Sequence, residues 1–410
     1  MSDLDQDISD YAAGILLRYY RAGSHVRANA PRIEVERDRE ILRSHWALSM
    51  PVRSLLRHLL SHRHETEALL STRRRIEDAL ARGRIDVRAT LLHQMRTGLR
   101  TALVTDEPVR SFETGPNQVL AWVVHHARIW ASRFQANCAA GLSYAGLAEG
   151  MLLDIDRVRR FDALSNTLRS PTVSRRPSPG ALRNAARSRR PVYRLAVEAY
   201  GTLKGVEDGR EDAIRAVIGS TLIGPLEIWR RLELAVATTI GQALEAETGA
   251  RLQLNPIAVG TGPVVKCGRY SVFWQNLTKF YTPPELEPSE IRSRAILGAY
   301  EMGVGTERPD LVLVDMQARM VRAVVEVKYL AGDTASARFR EAVDQIVRYG
   351  RGYASGQALE DLIGRSLVVM SVDAPGLRNP GRGVPTALDF LGVMQGRLRT
   401  WLRSSSLCPA

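Results

Sequence analysis

Residues 308–330 read RPDLVLVDMQARMVRAVVEVKYL, and this stretch decides the fold. Two apolar runs, the first opened by Asp310 and the second ending at Leu330, flank the turn-like MQAR at 316–319. β-Branched residues dominate both runs, so each is predicted to be a strand and the pair a hairpin. Side chains alternate faces along a strand, so Glu326 and Lys328 point one way while Val325, Val327 and Tyr329 point the other. A hairpin sets the start of its first strand beside the end of its second. Asp310, Glu326 and Lys328 are therefore expected to converge on one spot at a sheet edge.

Two carboxylates and a lysine in one place have a definite chemistry. Mg²⁺ takes oxygen ligands in octahedral geometry and is commonly held by one or two carboxylates, waters and substrate phosphate; Mn²⁺ suits the same oxygen donors. Asp310 and Glu326 supply the carboxylates, and the Val327 carbonyl is a further candidate ligand. Lys328 either orients and helps deprotonate an attacking water or offsets charge on the phosphate. The plain alternative is an exposed hairpin whose Glu326–Lys328 pair is worth about 0–1 kcal/mol. Against it, the two charges interrupt the apolar run AVVEVKYL. Lys328 is also one of only four lysines, with Lys204, Lys266 and Lys279, in a chain that otherwise uses arginine.

The flanking sequence supplies the context. ASARFREAVDQIVRYG (335–350) predicts a helix with Gln345 and Tyr349 one turn apart, beside the stripe Phe339, Val343 and Ile346. SLVVMSVD (366–373) reads as a buried strand, and PTALDFLGVMQGRLRTWLR (385–403) as a closing amphipathic helix. Upstream, GPLEIWRRLELAVATTIGQALEAETG (224–249) predicts a helix. ARLQLNPI (250–257) and GPVVKCGRYSVFWQN (262–276) predict short strands, with Tyr270, Phe273 and Trp274 as candidates to line a DNA-facing hairpin. Helix, strands, helix, strand, helix is the pattern of an α/β sandwich. The first half reads mostly helical. Over 47–82, Leu55, Leu56, Leu59, Leu60, Leu69, Leu70, Ile76 and Leu80 follow helical spacing, and Gly83 ends the run. TALVTDEPVRSFET (101–114) is strand-like with a break at Pro108, GPNQVLAWVVHHARIWASRF (115–134) is an apolar helix, and 170–191 is a basic linker. The expected class is α+β: a mostly helical, basic region over 1–205, then an α/β/α core over 206–410.

RPDLVLVD…VVEVKYL resembles the core of the PD-(D/E)xK nuclease superfamily, and the DQIVRYG that follows resembles the Q-x-x-x-Y signature of its RecB-type and McrC-like members. The resemblance implies a restriction-endonuclease-like core and a Mg²⁺-dependent DNA endonuclease of a prokaryotic restriction or phage-defence system. It makes Asp310, Glu326 and Lys328 catalytic, has Gln345 arrange the site, and brings Tyr349 to DNA or to its support. Periodicity alone also suits packing of Gln345 and Tyr349 against the sheet. PLEIWRRLEL is similar to the YE-x-W helix that precedes the nuclease strands in McrC-related proteins. This carries the family's helical Glu onto Glu227 as a third metal-site carboxylate, or onto Glu233 in another register. A Glu in the first turn is equally what a helix dipole favours. GRIDVRATLLHQMRTG (83–98) and EPVRSFETGPNQVLAWVV (107–124) are similar to segments of McrC-related nucleases with N-terminal extensions. Asn117 matches the family's Asn, but Gly115-Pro116 stands for the usual Pro-Glu and Ala121 for the usual Lys. The resemblance spans residues 83–130 and 224–372.

With 57 Lys and Arg against 44 Asp and Glu, the 410-residue chain carries +13, which points to DNA as a partner. Residues 157–194 hold eleven Arg and one acid, Asp162. Arg175, Arg176, Arg189 and Arg190 are therefore candidate phosphate contacts, although a solvated Arg-rich linker has the same composition. All eight His precede residue 127, which excludes an HNH nuclease, a His triad or a His–zinc site in the second half. His58 and His62 have zinc-compatible spacing with His64 and Glu65 close by, but an Arg-rich amphipathic helix surface accounts for them. GVGTERPD lacks the G-K-[ST] of a P-loop. Cys138, Cys267 and Cys408 are odd in number and scattered, which argues for a reducing, cytoplasmic setting. The acidic N-terminus is not a signal sequence, and no apolar run approaches the roughly 18 residues of a membrane span. Neither a motor nor a sequence reader is legible. The McrC-like resemblance implies a protein partner, such as an AAA+ NTPase or another defence-system subunit, or else a homo-oligomer, docking through residues 1–200. Two other readings stand beside it: a non-catalytic DNA-binding or scaffold subunit with a nuclease fold, and a DNA repair or recombination nuclease.

Overall fold

The computed structural model describes residues 3–25, 32–137, 143–255, 262–299, 308–330, 334–354, 356–376 and 381–407. The first elements are α1 (Asp3–His25), α2 (Arg32–Ala47), α3 (Met50–Ser61), β1 (Leu69–Asp78), β2 (Arg84–Ile85), α4 (Val87–Thr97), β3 (Ala102–Ser111) and α5 (Gly115–Asn137). Helices α6 (Ser143–Val158), α7 (Asp162–Leu168), α8 (Pro179–Arg187), α9 (Pro191–Glu207), α10 (Glu211–Ile218) and α11 (Ile228–Thr248) follow. Then come β4 (Leu252–Leu254), β5 (Pro263–Cys267), β6 (Tyr270–Trp274), α12 (Pro288–Ala299), β7 (Leu311–Asp315), β8 (Met320–Lys328), α13 (Ala335–Tyr353) and α14 (Leu359–Arg365). The chain closes with β9 (Leu367–Met370), β10 (Thr386–Asp389), α15 (Phe390–Met394) and α16 (Arg397–Ser404). The protein is α+β.

Two compact units form, one of residues 1–38, 134–146 and 209–410, the other of 39–133 and 147–208. This differs from a single break at 205/206. The first helix belongs with the C-terminal unit because α1 packs on α11 and α10, burying Ile8, Ala12, Ile15 and Leu16.

The first unit is built on a seven-stranded sheet in the order β10-β9-β8-β7-β6-β5-β4. β4 to β8 pair antiparallel as a meander, whereas β8, β9 and β10 are parallel. The parallel steps require crossovers, which α13 and α14 supply between β8 and β9. These two helices close one face, where Val312, Val314, Val324, Val368 and Met370 meet Ala342, Ile346, Leu362 and Tyr353. On the opposite face, the Tyr329 hydroxyl donates to Asp5 of α1, as strand alternation requires. The hairpin pairs Leu311 with Val325, Val312 with Val324 and Leu313 with Ala323, but Val314 with Val321. Arg322 is thus an extra residue, a β-bulge, and Val321 and Val324 share one core although three positions apart.

Several sequence expectations change here. The hairpin lies in the interior of the sheet, so its acidic end sits at the ends of central strands, not at a lateral edge. The closing segment opens as strand β10 and divides at Gly396, whose φ of +81° is the left-handed conformation glycine tolerates. Tyr270 and Trp274 are buried, and the Tyr270 hydroxyl donates to the Leu407 carbonyl. They therefore face the core and not DNA. Cys267 is free and buried; Cys138 and Cys408 lie outside the described residues, as does most of GVGTERPD. No helix among the described residues is long and apolar enough to cross a membrane.

The second unit is mostly helical, with Leu55, Leu56 and Leu59 of α3, Leu120 and Val123 of α5, and Val192, Tyr193 and Ala196 of α9 buried. Its three-stranded sheet runs β1-β3-β2. The helix expected over 47–82 ends at Ser61, and β1 instead pairs with β3 over ten residues, Leu69–Asp78. Absence of Gly and Pro removed an obstacle to helix there without creating a buried face. Leu69, Leu70, Ile76 and Leu80 are exposed, so no packing rewards helical spacing. β3 continues through Pro108, opposite Thr72, because β2 reaches only Thr105 and Asp106 and leaves that side of Pro108 without a ladder partner. The supposed basic linker over 170–191 contains α8, capped by Ser178, whose hydroxyl accepts from the Ala181 N–H at 3.1 Å.

Candidate active site

The β7–β8 register continues one step beyond Leu311 and Val325, which sets Asp310 level with Glu326. Backbone and side chains then lace the two together. The Val327 N–H donates to Asp310 Oδ2 at 2.8 Å, and the Asp310 N–H donates to Glu326 Oε1 at 3.4 Å. Lys328, one residue pair further along the same face, donates to Glu326 Oε2 at 3.4 Å and to Gln345 Oε1. It also pairs with Glu341 Oε1 at 3.5 Å. Glu341 and Gln345 are one turn apart on α13, so this helix holds the ammonium in place.

The two candidates for the helical Glu differ in position. Glu227 is the N-cap of α11, its side chain half exposed and 3.4 Å from Arg230 Nε. Glu233 lies almost two turns into α11, buried among Leu232, Leu234 and Ala235. Its Oε2 accepts from the Trp274 indole N–H and from Gln275 Nε2 at 2.9 Å. Gln275 follows β6 with φ +47°, and its own N–H donates to the Asp310 carbonyl at 2.8 Å. The signal for Glu233 was present in the sequence as a lone acid inside the apolar run LELAVATTI. Gln275 and Glu341 carried no such mark.

Burial pushes Glu326 well above its ordinary value, and neighbouring Asp310 adds to the shift. Glu233 is likewise raised well above its ordinary value, by burial first and then by Asp310. Burial also raises Asp310, outweighing Lys328 and the Val327 N–H. For Lys328 burial acts downward, but the charges of Asp310, Glu326 and Glu341 outweigh it and leave the ammonium above its ordinary range. The second acid of PDLVLVD shares none of this. Asp315 accepts from the Gln317 and Ala318 N–H groups and from Arg322, and it serves the turn.

The remaining expected residues separate into two groups. Gln345 is at the site. Tyr349 is buried in the sheet-facing core with Ile346 and Tyr353. Val327 is at the site through its N–H. In the other unit Arg175, Arg176, Arg189 and Arg190 are all exposed. Arg176 is tied to Glu207, and Arg190 donates to the Glu65 carbonyl at 3.0 Å. Asn117 is buried, donating to the Glu67 and Phe112 carbonyls at 2.7 and 2.9 Å and accepting from the Tyr193 hydroxyl at 2.6 Å. Those bonds tie one end of the β1–β3 pair, where β1 begins and β3 finishes, to α5 and α9. Asp310, Glu326 and Glu233 do not form a trio with ligand atoms within 4.8 Å of one another; among the described residues His58, His62 and Glu65 do.

The sequence matches no protein-family model and no curated protein. Among solved structures it is similar to a chain in a half-complex from a tetradecameric assembly of Thermococcus gammatolerans McrB AAA+ hexamers with bound McrC. The two chains are 12% identical, with 96% of this chain and 76% of that chain covered, at a TM-score of 0.24. A superposition at that score carries no argument about fold or function.

Proposed function

We propose that this chain is the nuclease subunit of a restriction or phage-defence system, a Mg²⁺-dependent DNA endonuclease. One observation carries the reading: at the ends of the central strands two buried carboxylates, Glu326 and Glu233, flank the half-buried Asp310, and Lys328 is held against Glu326. Ionised, these four groups carry a formal excess of two negative charges in a poorly solvated place, and a divalent cation offsets that excess. Mg²⁺ needs only one or two carboxylates, so Asp310 and Glu326 suffice, with the Val327 carbonyl at the same strand end. Glu233 would act from the next layer, through water. When bound, Mg²⁺ lowers the pKa of a coordinated water and stabilises charge on the phosphate.

The protein's own groups do the rest. Gln345 and Glu341 fix the Lys328 ammonium, which is the donor this site offers to a phosphate oxygen. The Val327 N–H and Trp274 orient the carboxylates of Asp310 and Glu233. The exposed arginines of the helical unit supply sequence-independent phosphate contacts. Target choice and activation come from a partner, of the AAA+ NTPase class or another defence-system subunit, or from self-association.

The test is calorimetric titration of the full chain with Mn²⁺, alongside cleavage of plasmid DNA with Mg²⁺. The parent should bind Mn²⁺ and Asp310→Asn should not. Lys328→Ala should keep the metal and lose at least about 100-fold in cleavage rate, the scale of one lost transition-state donor. Equal Mn²⁺ binding by parent and Asp310→Asn sinks the proposal.

A further inference from the structure

His58, His62 and Glu65 belong to the helical unit and take no part in the site above. α3 starts at Met50, with Pro51 in its first turn, and buries Val52, Leu55, Leu56 and Leu59, which leaves His58 and His62 one turn apart on its outer flank. The helix stops at His62, whose N–H still donates to the His58 carbonyl at 2.8 Å. A 3₁₀ turn over Arg63–Glu65 then folds the chain back, with the Glu65 N–H donating to the His62 carbonyl at 3.3 Å. The fold-back sets Glu65 Oε2 2.8 Å from His58 Nε2, while the two imidazoles stack with centroids 4.4 Å apart. One ligand atom from each of the three residues lies within 4.8 Å of the others.

The turn is held independently at several points. Arg190 donates to the Glu65 carbonyl at 3.0 Å, Arg63 lies 5.1 Å over the Phe161 ring, and the Glu67 N–H donates to the Tyr193 hydroxyl at 2.5 Å. The carboxylate and the imidazoles are thus brought together by the backbone and its supports, with His58 and Glu65 only partly exposed. We propose that His58, His62 and Glu65 form a binding site for a transition-metal dication, Zn²⁺ by preference, with water as the fourth ligand. Two imidazoles and one carboxylate are a borderline-soft donor set suited to Zn²⁺ or Co²⁺ and not to Mg²⁺. Tetrahedral bonds of about 2.0–2.2 Å require ligand atoms about 3.3–3.5 Å apart, which small rotations of the side chains deliver. The ion would clip the end of α3 to the segment leading into β1. This site is separate from the carboxylate centre and stands whether or not that centre is catalytic.

The test uses the full chain, stripped with a chelator and titrated with Co²⁺, then with Zn²⁺ in competition. The expected result is one equivalent of Co²⁺ with the visible bands of tetrahedral coordination, displaced by Zn²⁺. His62→Gln and His58→Gln should each weaken binding by at least about 100-fold, no less than the loss of an outer-shell partner costs. His62 is exposed, so its variant retains the fold, which circular dichroism checks. Asp310→Asn should leave the bands in place. A parent without tetrahedral bands, or bands that survive in both His variants, overturns the proposal; so do bands lost only in Asp310→Asn.

Discussion

Glu326→Gln should change how stability depends on pH. The Glu326 carboxyl sits above its ordinary value of 4.5 in the folded protein, chiefly because it is buried. The folded state therefore keeps a proton that the unfolded chain has released. Stability from this group is complete below 4.5 and is lost as pH rises toward the folded value. Within that window each such carboxyl contributes a slope of about 1.4 kcal/mol per pH unit, so Glu326 and Glu233 together contribute at most about 2.7. Glutamine keeps the shape and the acceptor for the Asp310 N–H while removing the titration. Urea unfolding in chelator at pH 5, 6 and 7 should show the parent losing stability with rising pH, and the variant doing so less steeply by up to about 1.4 kcal/mol per unit. Mg²⁺ at 100 times its Kd should add about 2.7 kcal/mol to the parent at pH 7 and little to the variant. Every other ionisable group is common to both proteins, so the difference in slope reads Glu326 together with the change its removal makes in neighbouring Asp310. Equal slopes would refute the reasoning.

The remaining predictions concern other parts of the molecule. His45 is fully buried and pushed down from 6.5 to about 3, so its stabilising contribution is present above 6.5 and lost as pH falls toward 3. His45→Leu should reduce acid lability across that window by about 1.4 kcal/mol per pH unit, read by denaturation at pH 4 to 7. Tyr353→Phe strips the hydroxyl that accepts the buried Thr278 N–H at 3.2 Å and should cost about 1–3 kcal/mol in urea unfolding. Gly352→Ala would place a Cβ 2.1 Å from Tyr281 Cε2 and should cost about 1–3 kcal/mol by overpacking. Replacing Arg175 and Arg189 by Gln should flatten the salt dependence of DNA binding by up to about 0.9 per lost contact. Replacing Arg176 and Arg190, already engaged by Glu207 and the Glu65 carbonyl, should flatten it less.

How much of this the sequence discloses depends on burial. β7, β8 and β9 are legible because their residues are buried on both faces, so the apolar runs are continuous and the charges inside them stand out. Asp310, Glu326 and Lys328 follow from alternation alone, and the structure brings them together. Glu227 is the acid that a motif ending in Trp selects at the helix start, whereas the acid that α11 buries against Trp274 and Gln275 is Glu233. β1 is missed for the opposite reason: almost nothing in it is buried, so its periodicity reports no core. Tyr349 and Gln345 are four residues apart and periodicity does not separate them, yet one lies in the core and the other reaches Lys328. Gln275 depends on a left-handed turn and a bond to the Asp310 carbonyl, neither of which leaves a trace in residue type.

The bulge at Arg322 has a consequence for which length changes the chain tolerates. β8 consists of two halves in opposite phase: Met320 and Val321 alternate on one count, 323–328 on the other. Deleting Arg322 would set Val321 next to Ala323 and two positions from Val324, so both halves would alternate on one count with every pairing kept. Glu326 and Lys328 would stay on the α13 face, Tyr329 on the α1 face and Val321 in the core, whereas deleting Val325 would draw Arg322 into the buried place of Ala323. A scanning-deletion library should therefore find Arg322 the best-tolerated deletion within β8. What the chain would give up with Arg322 is its bond to Asp315, not the alternation that places Glu326 and Lys328.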